Sequence, residues 1–406
     1  MWTSTRYFRY IRFLMMTVGI WRIQGEELSV IHKYLYQTYS MVFQLICSSA
    51  VVSLVVEIPT LLGKDTAAGG ALFKKKMFYF GKMILVMDNV GRLMIYFVIV
   101  FKMSMWQSKR MLRLLHIALQ QDNEISHKSD EKVQQIYEWH VNYDNKVISA
   151  ILVLAILIGI CVAILGDIEC YKFFKKSLRN NVTEKPLPLN LWYPFDRNKY
   201  YTWVLIDQNI RSTFSCLCIG VVGASVNSVV IFLKLQLKLL QYYFRYMGNC
   251  KARNILERNI AENNLKSLCI KHQRLIEYVQ TFNKCVRNVI LLEYTVSSLT
   301  FAIIILQITA GEPLIFNFTM LTYTAIQLLT FAWNCNEIIV QSLQLAISLY
   351  ESKWYEQSKS AQQIIHIMMI RCQRPLYLRI GFLGVMNLEA GLSRLKLGYT
   401  YTSVMS

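Results

Sequence analysis

The chain is 406 residues long, 54% hydrophobic and only 17% charged, with a net charge of +19. Soluble domains are roughly 45–50% apolar and about 25% charged, so this composition excludes an ordinary globular protein. The cations sit between long apolar runs and form no compact basic domain, which speaks against nucleic acid as a partner and for loops facing anionic membrane lipids.

In chain order, Arg6, Arg9 and Arg12 precede a short apolar stretch, 13–21, which Arg22, Gln24, Glu26 and Glu27 follow. No small-x-small cleavage site is present, so this reads as an amphipathic cytoplasmic segment rather than a signal peptide. Runs able to cross a hydrocarbon core of ~30 Å as helices follow. They are predicted over 35–60 (closed by Pro59), 77–101, 147–166 (the purest), 201–233, 288–310, 315–349 and 376–404. The predicted fold is therefore all-α: a polytopic membrane protein of about seven transmembrane helices. Between the spans, 102–146 has mixed charge and helical period and reads as extensions of the second and third spans. Residues 167–200, with Pro186, Pro188 and Pro194, read as a long loop. Residues 234–287 are strongly basic, and 350–375 read as a short polar helix ended by Pro375.

Orientation follows from charge. The basic 234–287 segment belongs in the cytoplasm, which puts the N-terminus inside and the C-terminus outside. The 167–200 loop then lies outside, although it is itself basic. It carries the acceptor sequence Asn181-Val182-Thr183, so Asn181 is a candidate glycosylation site, and a second acceptor, Asn317-Phe318-Thr319, also falls outside. This topology is inverted relative to G-protein-coupled receptors.

Charged residues within spans are costly and face a partner or water. Asp88 with Arg92, and Asp207 with Arg211, are four apart and share a helix face, as structural pairs or as the wall of a hydrated cavity. In the last span Glu389, Ser393, Lys396, Thr400 and Ser403 recur at intervals of four and three residues, within roughly 60° of one another around the helix. Such a stripe either lines an ion pathway shared by several copies or forms a polar seam between helices. Val404 lies at its edge, where an apolar ring closes a pore by dewetting. The outer halves of the second to sixth spans supply Phe80, Met87, Gly159, Ile160, Trp203, Ile206, Ile210, Phe214, Met320 and Tyr323. These either pack the helices together or line a pocket for a small, mostly apolar molecule.

No catalytic centre, metal site or cofactor is expected. The ten cysteines contain no C-x-x-C pair, none of the six histidines lies mid-span beside a carboxylate or cysteine at the spacing a metal or nucleophile site needs, and no phosphate-binding glycine motif is present. A transporter is disfavoured because no internal repeat is visible.

The C-terminal fifth carries a more specific pattern. It reads Ser342-Leu343-Gln344-Leu345-Ala346, Tyr350-Glu351-Ser352-Lys353-Trp354-Tyr355 and Met369-Ile370-Arg371-Cys372-Gln373-Arg374-Pro375-Leu376. It continues with Asn387-Leu388-Glu389 and ends in Tyr399-Thr400-Tyr401-Thr402. The order of these elements resembles insect odorant receptors, with Ala390-Gly391 departing from the family's usual Thr-Phe. The resemblance implies a multi-pass receptor in the plasma membrane of a sensory-neuron dendrite: an odorant-gated, non-selective channel for monovalent and divalent cations, opened by a small volatile organic odorant. It implies four subunits around a pore lined by the seventh helix, with Val404 at the gate. The inner ends of the fourth to seventh spans, including Trp354 and Tyr355, would form an inter-subunit anchor. The 234–287 loop lacks the long insertion of the shared odorant receptor co-receptor, which implies a ligand-tuning subunit that assembles with it as a hetero-oligomer. On this reading 1–34 is a cytoplasmic segment, 35–233 carries spans one to four with the pocket in their outer half, and 234–290 is cytoplasmic loop and anchor. Spans five and six occupy 291–349, an anchor helix 350–375 and the pore helix 376–406. The alternative is a gustatory-type or G-protein-coupled chemoreceptor, but too few residues follow Thr400-Tyr401 to complete the tail pattern usual in gustatory receptors.

Overall fold

The computed structural model describes residues 6–21, 30–63, 72–180, 187, 189, 191–247, 255–309 and 314–405. They form α1 (Arg9–Thr17), α2 (Val30–Gly63), α3 (Leu72–Trp106), α4 (Lys109–Ser126), α5 (Glu131–Asn180), α6 (Tyr201–Tyr246), α7 (Ile255–Thr309) and α8 (Leu314–Tyr350). A single 3-10 turn, Trp354–Glu356, leads to α9 (Lys359–Cys372), the strands β1 (Arg379–Ile380) and β2 (Gly384–Val385), and α10 (Leu388–Met405).

Five of the predicted spans lie inside α2, α3, α5, α6 and α8, and the 288–310 span lies in α7 as far as Thr309, where the described residues pause. Among the described residues, four stretches (Tyr34–Pro59, Glu131–Cys161, Tyr201–Tyr246 and Asn259–Thr309) meet a strict length-and-apolarity standard for crossing a membrane. α6 is the hub: its lower half, from Val221 to Leu235, is almost continuously buried, and it packs against α5, α8, α3, α7 and α1. At Gly220 an added Cβ would stand 2.9 Å from the Cβ of Ala155, so the α5–α6 approach depends on having no side chain there.

The structure differs from the sequence reading in three places. First, the amphipathic 13–21 stretch, with Phe13 63% exposed on one side, docks its other side into the bundle, a contact the sequence reading did not name. Tyr7, Phe8, Ile11 and Met15 are buried in the bundle, with the Tyr7 and Phe8 rings 5.3 and 5.0 Å from Phe232. Second, α5 continues helical through Asn180, so the 167–200 loop begins later than composition suggests; 102–146 also holds a separate helix, α4, capped by Ser108 accepting from the Met111 amide. Third, 376–387 is not part of the seventh helix. It forms an antiparallel hairpin with Arg379 opposite Val385 and Ile380 opposite Gly384. Gly381 at φ +51 sits in the left-handed region, which few side chains tolerate. The remaining helix, α10, spans about 27 Å at 1.5 Å per residue, still close to the apolar thickness of a bilayer.

α1 is held by Asp122 of α4, which is fully buried and accepts from the Tyr137 hydroxyl at 2.6 Å and from the backbone amides of Tyr7 and Phe8. Burial outweighs these hydrogen bonds and raises its pKa to about 6. A carboxyl raised in the folded state binds its proton more tightly there, so this group favours folding at low pH and loses that contribution as pH rises from its usual value near 4 through about 6. Asp122→Asn keeps an acceptor for Tyr137 and removes the charge. It is expected to stabilise the protein at pH 7 by up to about 2–3 kcal/mol and to flatten the stability profile between about pH 4 and pH 6. Thermal unfolding of the purified protein across that range checks this; an unchanged slope in the variant would contradict it.

Candidate functional site

Two adjoining cavities run through the middle of the bundle. The inner chamber, of about 110 Å³, lies between α3, α5, α6, α7 and α8, with Ile99, Ala155, Val222 and Val296 among its walls. The outer chamber, of about 130 Å³, reaches past Leu54 of α2 to Leu189 and Leu191, which cap it from the segment before α6. Ile95, Cys216, Ile219, Thr300 and Met320 line both chambers, so they form one path with a waist. At Gly223 a Cβ would collide with the amide of Gln327, so the absent side chain makes room for that amide at the chamber wall.

The cap is tied down by polar contacts. Gln208 exchanges two hydrogen bonds with the Leu189 backbone, at 3.0 and 2.9 Å. Arg197 reaches Glu57 of α2 at 3.1 Å, and the Trp192 amide donates to the Ser53 carbonyl. The Asp207–Arg211 pair expected from spacing forms at 2.8 Å, and Asp207 also accepts from the Tyr193 hydroxyl. The other expected pair falls on Asp88, whose side chain lies outside the described residues. The floor of the inner chamber is an ion pair: Lys102 of α3, 4% exposed, lies 2.7 Å from Glu293 of α7.

Of the pocket residues expected from sequence, the structure brings Met320 and Tyr323 to the chambers. Gly159 is buried against Thr213 and Cys216 of α6, where it permits close packing. Phe214 packs on Phe43 of α2, ring centroids 4.7 Å apart. Ile160, Trp203, Ile206 and Ile210 point away from the chambers; Trp203 is 72% exposed on the single chain. These four sit on the bundle's outer face, where span position alone could not separate a wall residue from a lipid-facing one. The side chains of Phe80 and Met87 lie outside the described residues. Sequence reasoning missed the opposite walls, above all Ile95 and Ile99 of α3 and Val296 and Thr300 of α7. The second acceptor sequence also needs correction: Asn317 is 1% exposed within α8 and lines the outer chamber, so it is not a surface glycosylation site. Asn181 lies outside the described residues.

On α10, Glu389, Ser393, Lys396 and Thr400 are all exposed along one face of the single chain. The side chains of Ser403 and Val404 lie outside the described residues. The opposite face carries a residue that the sequence reading passed over. Arg394 is 1% exposed, its guanidinium carbon 3.2 Å from the centre of the Tyr294 ring and its Nη2 3.3 Å from the Ser298 hydroxyl, both on α7. Gly391, on the same inward side, would place a Cβ 2.8 Å from that of Ala332 of α8, which gives the Ala390-Gly391 departure a packing reason. Trp354 and Tyr355 stand on the turn between α8 and α9, and Tyr355 is 63% exposed.

Comparison with known proteins matches residues 82–399 to the family described as 7tm odorant receptor. Odorant receptor 30a of Drosophila melanogaster is 24% identical over 263 residues, covering 62% of this chain and 67% of that one. Odorant receptor 10 of Aedes albopictus is 22% identical over 293 residues, 70% and 73% of the two chains. The fold is similar to that of the insect olfactory receptor OR5 from Machilis hrabei solved in complex with eugenol, at a TM-score of 0.79 and 14% identity, over 99% of this chain and 98% of the other.

Proposed function

The chain belongs to the 7tm odorant receptor family, and on that premise we propose that it is the odorant-tuning subunit of a ligand-gated, non-selective cation channel. A small volatile organic molecule occupies the two chambers, and its binding favours an open arrangement of α10 helices contributed by several subunits. The observation that carries this reading is the division of α10 into two faces. One is locked onto α7 and α8 by Arg394 and Gly391, and the other presents Glu389, Ser393, Lys396 and Thr400 to whatever surrounds the single chain. A polar stripe on a bilayer-length helix that its own subunit does not cover suits a water-filled axis shared with other subunits. By sequence period Ser403 and Val404 extend that stripe, with Val404 as the hydrophobic gate.

The pocket's size fits the ligand class: an apolar cavity of about 150 Å³ suffices for benzene, and the two joined chambers, of about 110 and 130 Å³, together exceed that and hold roughly one ring with a short chain. The ligand named for the similar Machilis hrabei receptor, eugenol, is of that kind. A ligand shifts gating only by its differential affinity for the two states, and the Lys102–Glu293 floor and the α7–α10 contact lie at adjacent residues of α7.

The protein sits in the plasma membrane of a sensory-neuron dendrite, with its N-terminus inside and its C-terminus outside. Arg110, Arg113, Lys128, Lys271 and Arg274 gather in one cleft between α4, α6 and α7, at the end the positive-inside rule assigns to the cytoplasm. The same end bears the apolar residues Ile367 and Ile370 of α9, 66% and 52% exposed, beside the turn of Trp354 and Tyr355. An uncovered apolar face outside the membrane suits an anchor between subunits, formed with the co-receptor in a hetero-tetramer. The domain boundaries expected from sequence carry over, save that the pore helix proper begins at Leu388.

Co-expression with the co-receptor and recording of odorant-evoked current tests this. Odorants are expected to evoke a cation current whose divalent permeability falls several-fold in Glu389→Gln and rises in Lys396→Gln. Surface-expressed protein that passes no current with any volatile, or permeation unaltered in both variants, would overturn it.

A further inference from the structure

Resting on the pocket just described, we infer that the odorants this chain accepts best carry a hydroxyl or carbonyl oxygen that hydrogen-bonds to the Tyr323 hydroxyl. The chambers are mostly apolar, and most of their hydroxyls are already engaged by their own helices. Thr300 donates to the Val296 carbonyl, Thr324 to Met320, and Ser297 to Glu293 and Tyr294. Tyr323 differs. It is 7% exposed, it lines the inner chamber, and its buried hydroxyl has no hydrogen-bond partner among the described residues. Buried hydroxyls are nearly always paired, because leaving one unpaired forfeits its hydration without return. A water would need two to four polar partners to be held there, whereas much of the chamber's lining, Ile95, Ile99, Ile158, Ile219 and Met320 among it, is apolar. A ligand oxygen supplies the missing partner while its hydrocarbon body fills the apolar remainder.

The outer chamber repeats the arrangement. Asn317, 1% exposed, has a buried side-chain oxygen with no partner among the described residues. It lies six residues before Tyr323 on α8, about 9 Å along the helix axis. The Tyr323 hydroxyl can donate or accept, whereas an amide oxygen only accepts. An alcohol or phenol therefore supplies what either unpartnered atom lacks, a ketone or ester what the Tyr323 hydroxyl lacks but not the Asn317 oxygen, and a hydrocarbon neither. The expected ranking at equal size is alcohol first, carbonyl compound second, hydrocarbon last.

The test uses two size-matched series: cyclohexanol, cyclohexanone and methylcyclohexane, and benzyl alcohol, benzaldehyde and ethylbenzene. Each is applied to cells co-expressing the chain and the co-receptor, and separately to the purified complex as a thermal-shift ligand. Oxygenated members are expected to act at concentrations about tenfold or more below their hydrocarbon partners, a factor equivalent to ~1.4 kcal/mol. Tyr323→Phe removes a single oxygen; it is expected to abolish the preference for the carbonyl compounds and to reduce that for the alcohols several-fold, while hydrocarbon responses stay the same or improve. Asn317→Leu is expected to weaken the alcohols alone. An oxygen preference unchanged in Tyr323→Phe, or hydrocarbons that match the oxygenated members in the unaltered protein, overturns the inference. Should the complex show the preference in thermal shift yet no compound evoke current, the ligand assignment stands and the channel reading fails instead.

Discussion

Arg394→Ala is expected to abolish odorant-evoked current and to lower thermal stability by more than about 3 kcal/mol, a factor of roughly a hundred in any docking equilibrium of α10. Three losses coincide. The guanidinium carbon lies over the Tyr294 ring, 3.2 Å from its centre, and desolvated cation–π contacts are worth about 2 kcal/mol or more. The side chain is among the largest fully buried ones in the chain, so truncation leaves a void that costs about 2–5 kcal/mol in comparable large-to-small changes. The Ser298 hydroxyl also loses the Arg394 donor. Arg394→Lys separates charge from shape. An ammonium keeps the cation but offers no flat face to stack, so an intermediate current is expected. Surface labelling beside whole-cell recording tells failed assembly from failed gating. Full-size currents in Arg394→Ala would remove the contact from any role in holding the pore helix.

How much of this was legible in the sequence depended on the range of the interaction. Apolar runs specify helices locally, because backbone groups in lipid have no partner but their own helix; hence α2, α3 and α5 to α8 appear where hydropathy placed them. The exposed stripe on α10 was legible because 3.6-residue periodicity is local too. Arg394 was not. One arginine in an apolar span looks the same from sequence whether it meets water or an aromatic face, and Tyr294 lies a hundred residues earlier in the chain. The chambers were half legible for a similar reason. Position along α8 named Met320 and Tyr323, but the wall that α3 and α7 contribute depends on how those helices rotate, which sidedness of hydropathy does not fix when both faces are apolar. Trp203 and Ile210 show the cost: both are large and apolar at the expected depth, and both face outward. The hairpin at 379–385 was hidden because its apolar residues, Ile380, Leu383 and Val385, continue the composition of the following helix, and only Gly381 and Gly384 mark the break.

Lys102→Met is the second large effect, and its double variant gives it meaning. Lys102 holds Glu293 at 2.7 Å in the floor of the inner chamber. Removing one member of a buried pair leaves the other charged without compensation, which costs about 3–5 kcal/mol; replacing both with apolar residues is often neutral. The Glu293 side chain keeps 34% of its surface open, so the lower end of that range applies. Lys102→Met alone is therefore expected to destabilise by about 3 kcal/mol and to deplete the receptor from the cell surface. Lys102→Met with Glu293→Met is expected to return within about 1 kcal/mol of the original protein, a non-additivity that identifies the pair as the cause. The double variant also asks what the floor does. Glu293 faces the chamber, while the next residue, Tyr294, carries Arg394 of the pore helix. If the charged floor only balances itself, odorant currents in the double variant match the original. If it positions α7 against α10, stability recovers and gating does not: binding by thermal shift is preserved while the maximal current falls. Recovery of neither stability nor current would show instead that the two side chains act outside their mutual contact.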